Sequence, residues 1–248
     1  MARVTRATHP AGTTLLQLAS TPARRCTRRV GIVTAAPMPV HRSNGDRPAQ
    51  AVPRPALRVV KPPSDVDLVA AEQAATAFLV ALGVDLDTES LAATPARMAR
   101  AYAEMFTPRS FDLTTFGNDA AYDELIIARS IPVQSVCEHH LLPFIGVAHV
   151  GYLPGERILG LSKLARVVEL FARRPQVQER LTQQVADWLQ VHVAPRGVGV
   201  VVEAEHLCMT MRGVGASGAT TITSALHGQL RSDAASRAEF FSLIGANQ

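Results

Sequence analysis

ELIIARSIPVQSVCEHHLLPFIGVAHVGYLP, residues 124–154, contains the clearest structural signal in this sequence. Two segments rich in Ile and Val, 124–136 and 144–153, lie on either side of the polar run Cys137-Glu138-His139-His140. β-Branched runs bounded by turn residues are typical of strands. The pattern therefore predicts two strands that hold the polar run between them in a loop.

A metal site is the first interpretation of this polar run. Its residue types return about seventy residues later, in His206-Leu207-Cys208. Cys137 and His140 are three residues apart, so one turn can direct both side chains at a single ion, and Cys208 can supply a third ligand. Three protein ligands leave the fourth tetrahedral position to water, which is typical of hydrolytic zinc and not of a closed structural site.

Other interpretations of the same residues stay open. His139 and His206 could complete the coordination sphere, or they could transfer protons. Without a metal, Cys137 and Cys208 could form a disulfide or be two buried thiols. That alternative does not explain why three histidines occur in the same two segments.

Composition indicates one folded domain behind a basic extension. The chain has 248 residues, 47% of them hydrophobic, which is enough for one core, and no apolar run approaches the ~20 residues of a membrane span. Residues 1–65 contain 11 Arg and Lys against 2 Asp and Glu, whereas the remainder contains 14 against 19. Since the basic part shows no helical or strand period, we expect a disordered extension over 1–63 and a folded domain over 64–248.

Three interpretations of the extension stay open. It could follow from a mis-assigned start or be a solvated extension, it could be an Arg-rich organelle targeting peptide, or it could bind nucleic acid or a membrane surface. The net negative charge of residues 66–248 argues against nucleic-acid binding, and we expect neither a nucleic-acid nor a membrane partner. Few cysteines without an even-numbered framework are typical of a reducing cytosol, so we expect a cytoplasmic protein.

The folded part shows helices and strands in pairs. Hydrophobic spacing predicts the order ααββααββα, an α+β domain with an antiparallel sheet and an N-terminal helical hairpin within 64–107. Ser64, Thr94 and Ser232 are the expected cap residues. The remaining predicted elements are helices over 162–171, 177–189 and 233–243 and strands over 197–204 and 220–230.

A group of cations suggests a phosphate site. Lys163 and Arg166 lie three residues apart at the start of the helix predicted from Ser162, where free backbone N–H groups also attract anions. Arg212 follows Cys208 by four residues and could add a forked contact. Each cation could equally be a solvated surface charge.

Four segments together resemble one enzyme family. They are CEHHLLPFIGVAHVGYLP (137–154), GLSKLARVVELFARRPQVQERLT (160–182), EAEHLCMTMRGV (203–214) and TSALHGQL (223–230). In this order they resemble GTP cyclohydrolase I, over roughly residues 66–248. The resemblance implies the tunnelling fold, with its catalytic part at about 120–248. It also implies a homodecamer of two pentamers with sites at subunit boundaries.

The resemblance implies a role for each motif residue. Cys137, His140 and Cys208 match the ligands of one Zn²⁺ per subunit, and His139 and His206 match the proton-transfer histidines. The residues that match the substrate contacts are Ser162, Lys163, Arg166 and Arg212 for the triphosphate and Gln178 and Glu179 for the nucleotide. Position alone would make Glu179 a helix-capping carboxylate. Gly215–Ala219 departs from the basic, Pro-Gly-containing turn of the family, and Glu138 has no assigned role.

The implied reaction is hydrolysis of GTP at C8 of guanine. A metal-activated water attacks C8 while His139 protonates N7, formate leaves, and the ribose rearranges to give 7,8-dihydroneopterin triphosphate. This is the first step of tetrahydrofolate and pterin biosynthesis. The alternatives are another tunnelling-fold enzyme acting on pterins or deazapurines and a catalytically inactive GTP-binding homologue.

Overall fold

The structure, a computed structural model, describes residues 57–59 and 66–245. The predicted cap Ser64 and most of the predicted extension lie outside the described residues. Leu57–Val59, inside that extension, forms a short strand. No helix in the described part is long and apolar enough to cross a membrane.

The structure has seven helices and nine strands in its described part. The helices are α1 Leu68–Ala81, α2 Thr94–Met105, α3 Leu161–Ala172, α4 Gln178–Val193, α5 Leu207–Thr210, α6 Gly228–Ser232 and α7 Ala234–Ile244. The strands are β1 Leu57–Val59, β2 Phe111–Leu113, β3 Thr115–Gly117, β4 Ile126–Cys137, β5 Pro143–Leu153, β6 Arg157–Leu159, β7 Pro175–Gln176, β8 Gly197–His206 and β9 Thr220–His227.

A five-stranded sheet in the order β7-β4-β5-β8-β9 is the centre of the fold. The pairs β4–β5, β5–β8 and β8–β9 are antiparallel, as predicted, but the two residues of β7 pair with the end of β4 in parallel. The strands β1 and β2, and β3 and β6, form two small separate sheets. The five short strands β1, β2, β3, β6 and β7 were not predicted, because two or three residues are too few to show a period of two.

Helices α3 and α4 cover one face of the sheet. Their apolar residues, including Leu164, Val167 and Leu181, are buried against sheet residues such as Ala148 and Val150, and Trp188 lies at the edge of this core. Burial of each such side chain contributes about 1.5–3 kcal/mol. This first core fixes the ends of β4 and β8, where the predicted metal ligands lie.

A second, smaller core lies on the other face, under α6 and α7. Phe240 of α7 is 0% exposed and packs over Gly151 of β5 and Gly199 of β8, which are paired residues in the sheet. A Cβ atom added at either glycine would lie 2.9 Å from the Phe240 ring. Because the two glycines have no side chains, they leave a slot on the sheet surface, and the Phe240 ring fills it.

Two cap predictions and one strand end were wrong. Ala93, not Thr94, is the N-cap of α2, because Thr94 is already helical and its hydroxyl accepts a hydrogen bond from Arg97. Asp233, not Ser232, caps α7, and its carboxylate accepts from the Ser236 N–H at 2.7 Å. The last strand ends at His227, since Gly228 adopts a left-handed φ of 53° and starts α6.

Helices α1 and α2 form the predicted N-terminal hairpin. An apolar cavity of about 390 Å³ lies between them, and Phe78, on the outer helix, is 54% exposed. Among the described residues, two hydrogen bonds join α2 to parts of the domain outside the hairpin. The Tyr102 hydroxyl donates to the Leu141 carbonyl at 3.1 Å, and Arg173 donates to the Glu104 carbonyl at 3.0 Å.

Candidate metal centre

A tight turn at the end of β4 carries two of the predicted ligands. The Leu141 N–H donates to the Cys137 carbonyl at 2.8 Å, and the Cys137 N–H donates to the Leu142 carbonyl at 2.9 Å. Leu141 adopts a left-handed φ of 53°, which is unfavourable for a residue with a side chain. The turn thereby folds His140 back towards Cys137.

The third ligand comes from the end of β8. Strand pairing places Phe144 of β5 opposite His206, and the chain then enters the short helix α5, which contains Cys208. The ligand atoms of Cys137, His140 and Cys208 all lie within 4.8 Å of one another. Helix α5 was not predicted from the sequence, and it places Cys208 beside Cys137 and His140.

The donor set suits a divalent zinc-like metal. Two thiols and one imidazole are common zinc ligands, and a three-ligand set leaves one coordination position for water or substrate. Cys137 and Cys208 are free cysteines and do not form a disulfide with each other. These three residues can therefore hold a metal ion.

The surroundings of the Cys208 thiol change its pKa. Burial raises the pKa of Cys208, and the neighbouring Cys137 raises it further, while the positive charge of Arg212 acts in the opposite direction. A bound cation would favour the thiolate form, because metal ligation requires a deprotonated cysteine.

His139 lies beside the metal group on the exposed side of the turn. Its Nδ1 is 3.9 Å from the Cys137 Sγ, and its Nε2 is 3.9 Å from a carboxylate oxygen of Glu138. The three residues whose ligand atoms lie close together include His140 but not His139. His139 therefore lies beside the three candidate ligands and is not one of them.

Glu138, which had no role in the sequence analysis, joins the turn to α4. Its carboxylate forms an ion pair with Arg180, and its N–H donates to the Gln176 carbonyl at 3.0 Å. The hydrogen bond from Arg180 lowers the pKa of Glu138. Glu138 thus attaches the ligand-bearing turn to the helix that follows β7.

His206 has a more enclosed position. Its ring stacks on Phe144 with a centroid distance of 4.6 Å and an interplanar angle of 11°. Its Nε2 lies 2.7 Å from the Gln178 Oε1. Burial lowers the pKa of His206, and the negative charge of Glu179 partly opposes this.

Gln178 and Glu179 begin α4 but face different surroundings. Glu179 is exposed, and its charge acts on His206, so it lies near the metal centre. Gln178 is 1% exposed, and its side-chain amide is bonded to β8 and β9. A side chain in that position offers almost no exposed surface for contact with a nucleotide.

Three of the four predicted phosphate residues are on the first turns of α3. Ser162 and Lys163 follow the N-cap Gly160, and Arg212 is exposed just after α5. Arg166 is paired with Glu169 at 3.2 Å. In the described part of the chain, no hydrogen bond or ion pair links the α3 cations to the metal group.

Glu169 is the centre of an arginine cluster that the sequence did not reveal. Arg109 donates to both of its carboxylate oxygens, at 2.7 and 2.8 Å, and Arg173 lies 3.4 Å away. Burial alone would raise the pKa of Glu169, but the hydrogen bonds and charge of Arg109 outweigh it, so the pKa is lowered. Arg109 is sixty residues away in sequence, and no local pattern indicates this contact.

An α+β fold whose sheet brings two thiols and an imidazole together beside two further histidines is typical of a metal-dependent enzyme. The profile of GTP cyclohydrolase I matches residues 71–245. Proteins named GTP cyclohydrolase 1 from Mycobacteroides abscessus and Mycobacterium leprae are each 57% identical to this chain. The first alignment covers 72% of this chain and 90% of the relative, and the second 70% and 87%. The chain belongs to the GTP cyclohydrolase I family, and the predicted tunnelling fold is confirmed.

A further relative and one solved structure complete the comparison. The GTP cyclohydrolase 1 of Mycolicibacterium gilvum is 55% identical over 186 residues, which is 73% of this chain and 92% of that protein. A crystal structure of an archaeosine synthase QueF-Like in the apo form matches 42% of this chain and 93% of its own, with a TM-score of 0.34 and 20% identity. That structure is too distant to bear on fold or function.

Proposed function

We propose that this chain hydrolyses GTP at C8 of guanine, releases formate and forms 7,8-dihydroneopterin triphosphate. The observation that carries the proposal is the convergence of Cys137, His140 and Cys208, with His139 and His206 beside them, in a chain that matches the GTP cyclohydrolase I family over residues 71–245. The product would enter tetrahydrofolate and pterin biosynthesis.

The metal-binding residues would hold one Zn²⁺ per subunit. When bound, that ion supplies Lewis acidity for hydrolysis. His139, exposed beside the turn, is the group that delivers a proton to N7 of guanine. His206, enclosed between Phe144 and Gln178, is the second proton-transfer group.

The substrate would be held at its two ends. Ser162, Lys163, Arg166 and Arg212 form the triphosphate-binding group, in which three positive charges and the N-terminus of α3 favour an anion. No bond in the triphosphate breaks, so these residues hold charge and do not assist phosphoryl transfer. The exposed Glu179 carboxylate can accept from the N1–H and the exocyclic amino group of guanine, which distinguishes guanine from adenine.

Assembly into a homodecamer is supported by the edges of the central sheet. Among the described residues, β9 has one strand neighbour, β8, and β7 covers β4 only at Val136 and Cys137. Such long unpaired edges are sites for strand pairing with another chain. Among the described residues of one chain, no hydrogen bond or ion pair links the α3 cations to the metal group, so we place the sites at subunit boundaries, where different chains can supply the two groups.

A cytoplasmic location fits the metal centre. Two thiols of the ligand set, Cys137 and Cys208, must stay reduced to bind an ion, and the cytosol keeps thiols reduced.

The test is turnover of GTP by the purified protein, with separate detection of formate and of the pterin product. We expect both products in equal amounts, about one zinc per chain, and loss of both after treatment with a chelator. Zinc binding without formate would indicate an inactive GTP-binding homologue. A protein without zinc that converts a pterin or deazapurine would support the other tunnelling-fold class.

A further inference from the structure

The side chain of Gln178 lies in a closed hydrogen-bond network between α4, β8 and β9. Its Nε2 is 3.0 Å from the Val202 carbonyl, 2.8 Å from the Thr221 carbonyl and 3.2 Å from the Thr223 hydroxyl. Its Oε1 is 2.7 Å from the Nε2 of His206. Buried polar groups of this kind are positioned by their partners, because an unsatisfied alternative is costly.

Two threonines hold the network in place. The Thr182 hydroxyl donates to the main-chain carbonyl of Gln178 at 2.8 Å, and it lies 2.6 Å from the Thr223 hydroxyl. Thr182 is 1% exposed. Buried and partly buried hydrogen bonds thus connect the helix, the amide and both strands.

These partners determine which way the amide faces. A carbonyl oxygen can only accept, so the two carbonyls of Val202 and Thr221 require the NH₂ end of Gln178 on their side. In the opposite orientation three oxygen atoms would face one another without a proton. The Oε1 must therefore face His206.

The amide orientation in turn determines the tautomer of His206. An amide oxygen has no proton to give, so the His206 Nε2 carries the hydrogen of this 2.7 Å contact. The stacked Phe144 ring fixes the plane of the imidazole. Nδ1 is then the ring nitrogen that can accept or carry a further proton, and it has no partner in the described part of the chain.

We propose that Gln178 is a positioning residue that locks His206 as the Nε2–H tautomer and so reserves Nδ1 for proton transfer. This role rests on the proposed function, and it replaces the direct nucleotide contact that the family resemblance implies for Gln178. Tautomer locking by a buried partner is known to affect catalysis strongly, since a histidine in the wrong tautomer cannot take or give the required proton.

The direct test is magic-angle-spinning NMR of zinc-loaded protein labelled with ¹⁵N-histidine. Comparison with His206→Asn assigns the His206 signals among the eight histidines of the chain. We expect a protonated Nε2 and an unprotonated Nδ1 in the neutral ring. A protonated Nδ1 with a bare Nε2 would overturn the proposal without any change to Gln178.

The kinetic test uses Gln178→Met, which keeps the length of the side chain but removes the acceptor. We expect kcat for GTP to fall about 10²-fold or more, the usual contribution of a positioned proton-transfer group. KM should stay within about twofold and the zinc content should not change. Gln183→Met is the matched control, because Gln183 is an exposed glutamine on the same helix. An unchanged kcat, or a rise in KM alone, would refute positioning, and the latter would indicate a direct nucleotide contact.

A conservative variant covers the case in which Gln178→Met does not fold. A neutral carboxyl in Gln178→Glu still offers an acceptor to His206 and a donor to the Thr221 carbonyl, so the Nε2–H signal should persist. Its loss in a folded Gln178→Glu protein would contradict the proposal. The NMR result is independent of turnover, so a protein that makes no formate but shows the locked tautomer refutes the proposed function alone.

Discussion

Replacement of Phe240 by alanine should destabilise the fold strongly, because the glycines beneath the ring cannot fill the space that it leaves. Phe240 is 0% exposed, and the sheet residues beneath it are the glycines Gly151 and Gly199, which have no side chains to move inwards. Phe→Ala changes in cores cost about 3–5 kcal/mol, and the cost is larger where the site cannot collapse. We therefore expect the upper half of that range.

Calorimetry and urea unfolding at one fixed protein concentration measure this loss. For a domain of this size, about 2–4 °C of Tm is lost per kcal/mol, so the melting temperature should fall by roughly 8–20 °C. Phe116→Ala is the control, since Phe116 is 58% exposed and its loss should change stability by less than about 0.5 kcal/mol.

A double-mutant cycle with Gly199→Ala tests whether the Phe240 ring occupies the space above this glycine. Alone, Gly199→Ala should cost about 1–3 kcal/mol, because the added methyl would lie 2.9 Å from the Phe240 ring. In the Phe240→Ala background the same methyl enters vacated space, so its cost should largely disappear. Additive effects of the two changes would refute the slot described above.

Four further outcomes are expected. Cys208→Ser should abolish zinc binding and GTP turnover together, as measured by metal analysis and formate release, whereas Cys26→Ser, outside the described residues, should change neither. His139→Ala should keep its zinc and lose about 10²–10⁴-fold in kcat, and loss of the metal instead would show that the ligand assignment is wrong. Glu179→Ala should reduce the preference for GTP over ATP in competition binding about tenfold or more, since charge-assisted hydrogen bonds are lost; unchanged selectivity would contradict base recognition. The pKa of Glu169 is lowered on folding, so its stabilising contribution is present above the ordinary carboxyl range and is lost as pH falls through the folded-state pKa. In urea unfolding, Glu169→Gln should therefore lower the free energy of unfolding at neutral pH, and this loss should become smaller in acid. A loss that does not change with pH would contradict the charge pairing.

Local patterns predicted those features of this chain that depend on neighbouring residues. The Ile- and Val-rich segments gave β4 and β5 nearly to the residue, and the turn between them joins Cys137 to His140 within one motif. Cys208 could be assigned to the same metal group because Cys and His are rare in the chain and His206 lies two residues before it. The composition of these segments was sufficient for the fold class and for the metal group.

Features that depend on strand register and distant pairing could not be predicted in this way. Gln178 has the sequence position of a surface residue at a helix start, and only the pairing of β8 with β9 encloses it. Arg109 and Glu169 meet because α3 packs beside the chain that follows α2. Ser232 and Asp233 are equally good caps by propensity, which does not distinguish them. At Ala93 propensity points the wrong way, since it favours Thr94 and Ala93 caps α2 without a side-chain hydrogen bond.

The contact between Tyr102 and the Leu141 carbonyl has a consequence for hydrogen exchange. Helices α1 and α2 pack mainly on each other, and the described hydrogen bonds from α2 to the rest of the domain are the two made by Tyr102 and Arg173. Elements with so few contacts to the rest of a domain open as one cooperative unit. The free energy of this local opening is well below that of global unfolding. Each opening of the hairpin also releases the carbonyl of the strained residue that follows His140. Amide exchange in α2 and exchange of the metal ion should therefore share one opening reaction.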